Sequence, residues 1–311
     1  MLTLLNCHPT SVRMDSVFDY SQITAYLLAI IRKQADAAAV EWLQSQADKI
    51  AGSGKSASLF LSFSQASRFF PKDKLTLNES EIAKAKSLRK DWRPETWNLL
   101  VAARAYLAMH LPDEPLENWR KQLNRLFETG DIYEQEALYS SLCILPHQEL
   151  LASRASEGLR SNMTTVFDAV ALNNPFPAEQ LNEMAWNQLV LKAIFLQRPM
   201  YQIIGIDSRN NPELADTLLD AVRERWSANR SVMPELWRFV SPFIDDTNIH
   251  LINKLFQNGN ALEIQAGMLA CLTSKHHEVV KLVRGHPEIK AKIDSGEITW
   301  ETVGKEYVPF Q

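Results

Sequence analysis

A chain of 311 residues, 46% apolar and 23% charged, has the composition of a soluble globular protein, and it is long enough to bury its own core without a metal or a disulfide. Its net charge of −4 argues against nucleic acid as the main partner, which would favour a basic surface. Cys7, Cys143 and Cys271 are far apart and odd in number, so they form neither a disulfide framework nor a paired-cysteine zinc pattern and point to a reducing, cytoplasmic setting.

Glycine is scarce and alternating apolar-polar runs are rare, so helical spacing dominates throughout. The opening MLTLLNCHPTSVRMD lacks a basic leader, and Asn6 stands where a lipidation signal at Cys7 needs a small residue. No stretch reaches the ~18 apolar residues of a membrane span. Helices are predicted over Tyr20 to Lys33, Ala37 to Ala51, Leu59 to Phe70 and Asn78 to Arg89. The segment Pro71 to Leu77 between the last two is the best candidate boundary, marking a possible N-terminal subdomain 1–75 within a single domain 1–311.

A helix through Trp97, Leu100, Val101, Arg104 and Ala108 is predicted to open at Arg93-Pro94-Glu95, because proline suits the first helical position and an early glutamate suits the helix dipole. The device recurs at Asn211-Pro212-Glu213, Met233-Pro234-Glu235 and His286-Pro287-Glu288. Further helices are predicted over Leu116 to Phe127, Ile132 to Leu145, His147 to Leu159 and Met163 to Leu172. Trp186 to Leu196 is apolar nearly all round, with Leu189, Val190, Ala193 and Ile194 within about 80° of Trp186, and is expected to be a central helix packed on several sides. Pro212 to Trp226, Pro234 to Val240, Asn248 to Gln257, Ala261 to Leu272, Glu278 to Arg284 and a short piece near Trp300 complete the series. Prolines 115, 146, 177 and 212 recur at the spacing of helix pairs. The fold class is therefore all-α: an irregular α-solenoid of stacked, HEAT-like helical hairpins, with a compact helical bundle as the alternative.

Motifs for cofactors fall short. Gly54-Lys55-Ser56 imitates the end of a phosphate-binding loop, but Lys49 occupies the position of its first glycine and a helix precedes it. His276 and His277, adjacent and so ~100° apart on a helix, make no natural chelating pair. Neither a nucleotide nor a metal cofactor is expected. The cluster Lys84, Lys86, Arg89, Lys90 and Arg93 lacks the aromatic interleaving of a nucleic-acid platform. Arg154, Glu157 and Arg160 are spaced so that the glutamate can pair with either arginine.

The stretches RLFETGDIYEQEALYSSLCILP, RASEGLRSNMTTVFDAVALNNPFP, AWNQLVLKAIF, RPMYQIIGIDSRNNPELA and PELWRFVSPF, between Arg104 and Asp246, resemble the EboA-domain family. The resemblance implies an all-helical bacterial protein of metabolite traffic, in a gene cluster that moves or matures a secondary metabolite. It also implies partners of three kinds: a prenyltransferase, a sugar-phosphate cyclase and TIM-barrel enzymes. It supplies no established reaction.

Two functions follow as expectations. The first is a non-catalytic binding or scaffold protein for an anionic or amphiphilic intermediate; the second is an enzyme acting on a small phosphorylated or prenylated substrate. Tyr201 to Arg209 reads as a non-helical polar turn. Arg160, Tyr201, Asp207, Arg209, Arg225 and Arg238 are expected to border one polar cleft, because buried arginines must pair with Glu157, Glu224 or Glu235 or else face a ligand.

Overall fold

The structure, a computed structural model, describes residues 18–53 and 56–307. Leu4 to Cys7, around the cysteine compared with a lipidation site, and Gly54-Lys55 of the phosphate-loop imitation lie outside the described residues. The described residues are all helical, with no strand, and comprise α1 (Tyr20–Arg32), α2 (Ala37–Ser53), α3 (Ser56–Gln65), α4 (Glu79–Leu88), α5 (Leu99–Ala108), α6 (Leu116–Thr129), α7 (Ile132–Ser141), α8 (Ala152–Arg160), α9 (Thr164–Ala171), α10 (Phe176–Gln180), α11 (Glu183–Phe195), α12 (Ile206–Arg209), α13 (Pro212–Ser227), α14 (Trp237–Val240), α15 (Ile249–Asn258), α16 (Ala261–Thr273), α17 (Val279–Arg284), α18 (Pro287–Asp294) and α19 (Trp300–Glu306). Among the described residues the one β-type contact is an antiparallel bridge between Lys74 and Asn98.

Helix α5 holds the centre. All ten of its residues are buried, and it packs on α1, α2, α3 and α7. Helix α7 in turn packs on α9, and α9 on α8. Farther along, α14 and α16 pack together and gather α13, α15, α17 and α19 around them. A helix enclosed on every side carries its polar residues into the interior, so Arg104 of α5 is buried. Its Nε donates to the Phe63 carbonyl (3.0 Å), and its guanidinium lies 3.7 Å from Glu134 of α7. Glu134 is itself fixed, since its Oε2 accepts the Asp131 N–H (3.0 Å) in the capping box that starts α7.

The start of α5 differs from the expectation. Pro94 opens only a 3-10 turn, Pro94–Thr96, and the helix begins at Leu99, where the Asn98 side chain accepts the Val101 N–H (2.8 Å). Residues 71–75 lie against this start, with the Leu75 N–H on the Trp97 carbonyl and the Leu99 N–H on Asp73, so an extended strip crosses the helix entrance. An asparagine cap provides the acceptor that a proline start lacks. Pro212 does open α13 as expected, with Asn211 accepting the Leu214 N–H (2.9 Å).

Helix α11 is less enclosed than its composition suggests. Trp186, Leu189, Val190 and Ala193 are buried, but Leu191 is half-buried and Phe195 is 83% exposed. Its polar residues explain its seating. Asn187 exchanges hydrogen bonds with the capping Asn211 (2.8 and 3.3 Å), and Lys192 Nζ donates to the Leu159 and Ser161 carbonyls (both 2.7 Å) at the end of α8. A cation on a helix C-terminus satisfies carbonyls that have no intrahelical partner.

The Arg104 tie yields a stability test. Arg104→Met removes the donor to Phe63 and leaves Glu134 buried beside an apolar side chain. A loss of roughly 3–5 kcal/mol is expected in denaturant unfolding. Adding Glu134→Gln, which keeps the capping acceptor but removes the charge, should recover part of that loss. Equal stability of the single and double variants would show that the pair is not coupled.

Candidate functional site

A cavity of about 470 Å³ lies where the strip over the start of α5 meets α7 and α9. Each helix contributes a stripe at helical spacing: Glu136 and Ser140 from α7, and Thr165, Asp168 and Ala169 from α9, with Leu172 just past its end. Lys72, Lys74, Thr96 and Asn98 border the α5 side, and Asn173, Asn174 and Gln202 the far side. The far wall is fixed by amide chemistry. Asn174 Nδ2 donates to the Tyr139 and Ala169 carbonyls (both 3.0 Å), tying α7 to α9. Asn173, at φ +54°, donates its N–H to the Gln202 carbonyl (2.8 Å) and its Nδ2 to Gln202 Oε1 (3.0 Å).

The electrostatics are mixed. Burial pushes the Glu136 carboxyl up, against the pull of Lys72 and Arg104. Burial also pushes Asp168 up, against the two hydrogen bonds from Arg198 (2.8 and 2.5 Å). Among the described residues the Glu136 carboxylate and the Ser140 and Thr165 hydroxyls make no hydrogen bond to another protein group. The cavity thus presents an acceptor, two groups that both donate and accept, an amide wall and lysines at the rim.

The six residues expected to form one cleft are placed differently from one another. Arg160 ends α8 exposed, beside a separate depression of about 350 Å³ shared with Ser156, Ala185, Gln188 and Lys192. Its expected partner Glu157 pairs instead with Arg154 (2.7 Å). Arg209 donates to the Ala178 and Leu181 carbonyls (2.6 and 2.9 Å) and lies over the Trp186 ring. Arg225 Nε donates to the Ser231 carbonyl (2.6 Å). Asp207 and Arg238 form a two-fold pair (2.7 and 2.6 Å), with Arg238 also over the Trp300 ring of α19. Tyr201 belongs to a 3-10 turn, Met200–Gln202, and its hydroxyl accepts from Gln202 Nε2 (3.2 Å). The segment read as non-helical therefore contains that turn and the short α12. Gly205, at φ +87°, starts α12, and a Cβ there would meet Ala178 at 2.5 Å.

Tyr201 and Arg238 meet the C-terminal helix α19 around one buried carboxylate. Glu235 is fully buried; its Oε2 accepts the Met200 N–H (3.2 Å), the carboxylate also takes the Tyr201 N–H, and its Oε1 has no partner. Burial pushes its pKa up to about 7, opposed by the two N–H groups and by Arg238. Gly304 lets α19 approach this closely, since a Cβ there would stand 2.8 Å from the Glu235 carboxylate.

The histidine pair also departs from its expected geometry. Residues 274–276 are not helical, so the helical angle between His276 and His277 does not apply, and the two rings lie 4.7 Å apart. Cys143 and Cys271 are buried free thiols whose pKa values burial pushes up to about 12. No helix of the described residues is long and apolar enough to cross a membrane.

Glu235 predicts a pH-dependent stability. The folded carboxyl holds its proton to about pH 7, against an ordinary value of 4.5. Its stabilising share is therefore complete below 4.5 and is lost as pH rises through 7. Glu235→Gln, which resembles the protonated form, should match the parent in melts near pH 4.5 and exceed it at pH 8, by on the order of a few kcal/mol. A difference that does not change with pH would separate the variant's effect from ionisation.

The sequence model of one family, described as "Metabolite traffic protein EboA", matches residues 23–241, more than two thirds of the chain. No curated protein and no solved structure matches it.

Proposed function

From the premise that the chain belongs to the EboA family, we propose that it is a non-catalytic carrier that holds a small, polar metabolite in the cavity between α5, α7 and α9. The carrying observation is the set of polar groups there without a protein hydrogen bond: Glu136, Ser140 and Thr165, on neighbouring helices, facing one cavity. These half-buried groups are free to bond a ligand in place of water. Every residue of the cavity wall also lies within the span that matches the family.

The lining favours a hydroxyl- or amine-bearing molecule over an amphiphilic one, because small-molecule sites for apolar ligands are lined mainly by apolar side chains. Glu136 accepts from hydroxyl or ammonium groups of the ligand, the two hydroxyls read its stereochemistry, and Lys72 and Lys74 attract any acidic substituent. The cleft of Arg160, Tyr201, Asp207, Arg209, Arg225 and Arg238 supports ligand binding less well, since Arg209, Arg225 and Arg238 already bond protein groups. Hand-over to prenyltransferase-like, cyclase-like or TIM-barrel enzymes fits a carrier of this kind. The enzymatic reading has one foothold, the desolvated carboxyl of Glu136 beside Lys72, which resembles a general acid or base.

The test is retention. Purified chain is incubated with a small-molecule extract of its host, washed, denatured, and the released compounds are identified by mass spectrometry. A hydrophilic compound should be retained by the parent and reduced about tenfold or more by Glu136→Gln combined with Ser140→Ala. The melting temperature should hold or rise, since a desolvated carboxylate is removed. Arg160→Gln should retain the compound fully. Loss with Arg160→Gln but not with the cavity variant would move the site to α8. Chemical conversion of the compound would establish the enzymatic reading instead.

A further inference from the structure

Two turns near the C-terminus bring together three side chains with metal-binding atoms. Asp245 and Asp246 are neighbours but do different work. Asp245 Oδ1 accepts the Thr247 N–H (2.8 Å) and hydroxyl (2.6 Å), and the Asp245 N–H donates to Asn248 Oδ1 (3.0 Å), so Asp245 closes the turn that precedes α15. Asp246 lies in the same turn but its carboxylate, 89% exposed, is turned away from it and reaches across to His276 with Oδ1 2.9 Å from Nε2. His276 is held in place. Its backbone N–H donates to Ser274 Oγ (3.2 Å), its Nδ1 accepts the Glu278 N–H (3.3 Å), and its side chain is only 8% exposed. The non-helical course of 274–276 turns the His277 ring alongside, with an interplanar angle of 31°. One ligand atom from each of Asp246, His276 and His277 lies within 4.8 Å of the other two.

We infer that Asp246, His276 and His277 form a binding site for a divalent first-row transition-metal ion, with zinc the best match to the donor set. Two imidazoles and a carboxylate are borderline nitrogen and oxygen ligands, which suit zinc and disfavour hard magnesium or calcium, whose sites are built from oxygen. Tetrahedral zinc with bonds of about 2.0–2.1 Å holds its ligands roughly 3.3 Å apart. The present spacing is closed by rotation of two exposed side chains, Asp246 and His277, towards the less exposed ring of His276.

The proton balance is simple. Nδ1 of His276 accepts from Glu278, so the ring is neutral with its proton on Nε2. The ring proton moves from Nε2 to Nδ1 by way of water, and zinc takes the freed Nε2 lone pair. The Asp246 carboxylate exchanges its bond to the ring N–H for one to the ion, and the Glu278 N–H and the new Nδ1–H each turn to water. Three protein ligands leave a fourth position open to water or to another molecule. The ion joins the turn before α15 to the turn before α17, and it lies beyond residue 241, outside the span that matches the family. It is thus a feature of this chain, independent of the carrier cavity.

The experiment is calorimetric titration of the untagged full chain with Zn²⁺, alongside Mg²⁺, with melts at each metal concentration. The expected result is one saturable Zn²⁺ site, no Mg²⁺ heat, and a melting temperature that rises with Zn²⁺, as mass action requires. Asp246→Asn and His277→Gln, both at exposed positions, should each weaken binding roughly tenfold or more, and the double variant should abolish it. Absence of a saturable Zn²⁺ site overturns the inference, as does Zn²⁺ affinity unchanged in the double variant. Equal binding of Mg²⁺ overturns the assigned class of ion.

Discussion

Burial of α5 on every side is the constraint from which the described architecture follows. A ten-residue helix with no solvent face must be covered by several others, and α1, α2, α3 and α7 supply the cover. The cost is Arg104, whose Nε bonds the Phe63 carbonyl and whose charge faces the Glu134 carboxylate that also caps α7, while its Nη1 is left without a hydrogen-bond partner. One side chain thereby fixes the register of α5 against both α3 and α7. The cavity sits at the next contact outward, where α7 meets α9 and the 71–75 strip closes over the start of α5. A pocket walled by helices set this way is formed before any ligand arrives, which lowers the ordering cost of binding.

Most arginines of the chain's middle are used as ties between backbone and side chain. Arg89 is an example: its Nε donates to the Cys143 carbonyl (2.8 Å), and its guanidinium forks onto Glu179 of α10. Arg209 caps carbonyls around α10, and Arg225 caps the loop after α13. Helices as short as α10 and α12 leave most of their end carbonyls without intrahelical partners, so long cationic side chains are needed to complete them. Arginine density in the sequence therefore marks short, irregular helices as readily as it marks an anion site.

That explains what was legible from the sequence and what was not. The all-helical class and the position of the longer helices could be read because apolar spacing is local information, whereas the short α10 and α12 were missed and α18 was marked only by its opening Pro287. The family could be read from the wording of residues 104–246. Pro94 misled because a proline start and a 3-10 turn share the same first residue, and the asparagine that decides between them stands four positions later. Helix α11 looked central because composition counts apolar residues without showing which face meets solvent; Phe195 and Met184 are exposed. The cavity left little trace. Glu136 and Ser140 are one polar pair on a helix that also buries Glu134, and the strip carrying Lys72 and Lys74 read as a boundary because it has no periodicity. Their meeting depends on the packing of α7 on α9, which no local pattern encodes.

The part of the chain beyond the family match is held to the rest by the packing of α16 on α14 and, at α19, by a polar contact as well. Helix α19 folds back so that Val303 is buried, Trp300 lies under Arg238, and Gly304 passes close to Tyr201 and Glu235. Glu235 caps the turn Met200–Gln202, and Gln202 belongs to the wall of the cavity through its bonds to Asn173. A continuous set of contacts thus runs from α19 through Glu235 and Gln202 to the cavity. Glu235 is the element of that set with two states, because its carboxyl titrates at about 7 and has only one oxygen engaged by the turn. Ionisation strengthens its hold on the two backbone N–H groups and adds an uncompensated buried charge beneath α19, two effects of opposite sign on the two sides of one residue. The C-terminal helix and the cavity's far wall therefore meet at one buried side chain, Glu235, with Gln202 as the intermediate contact.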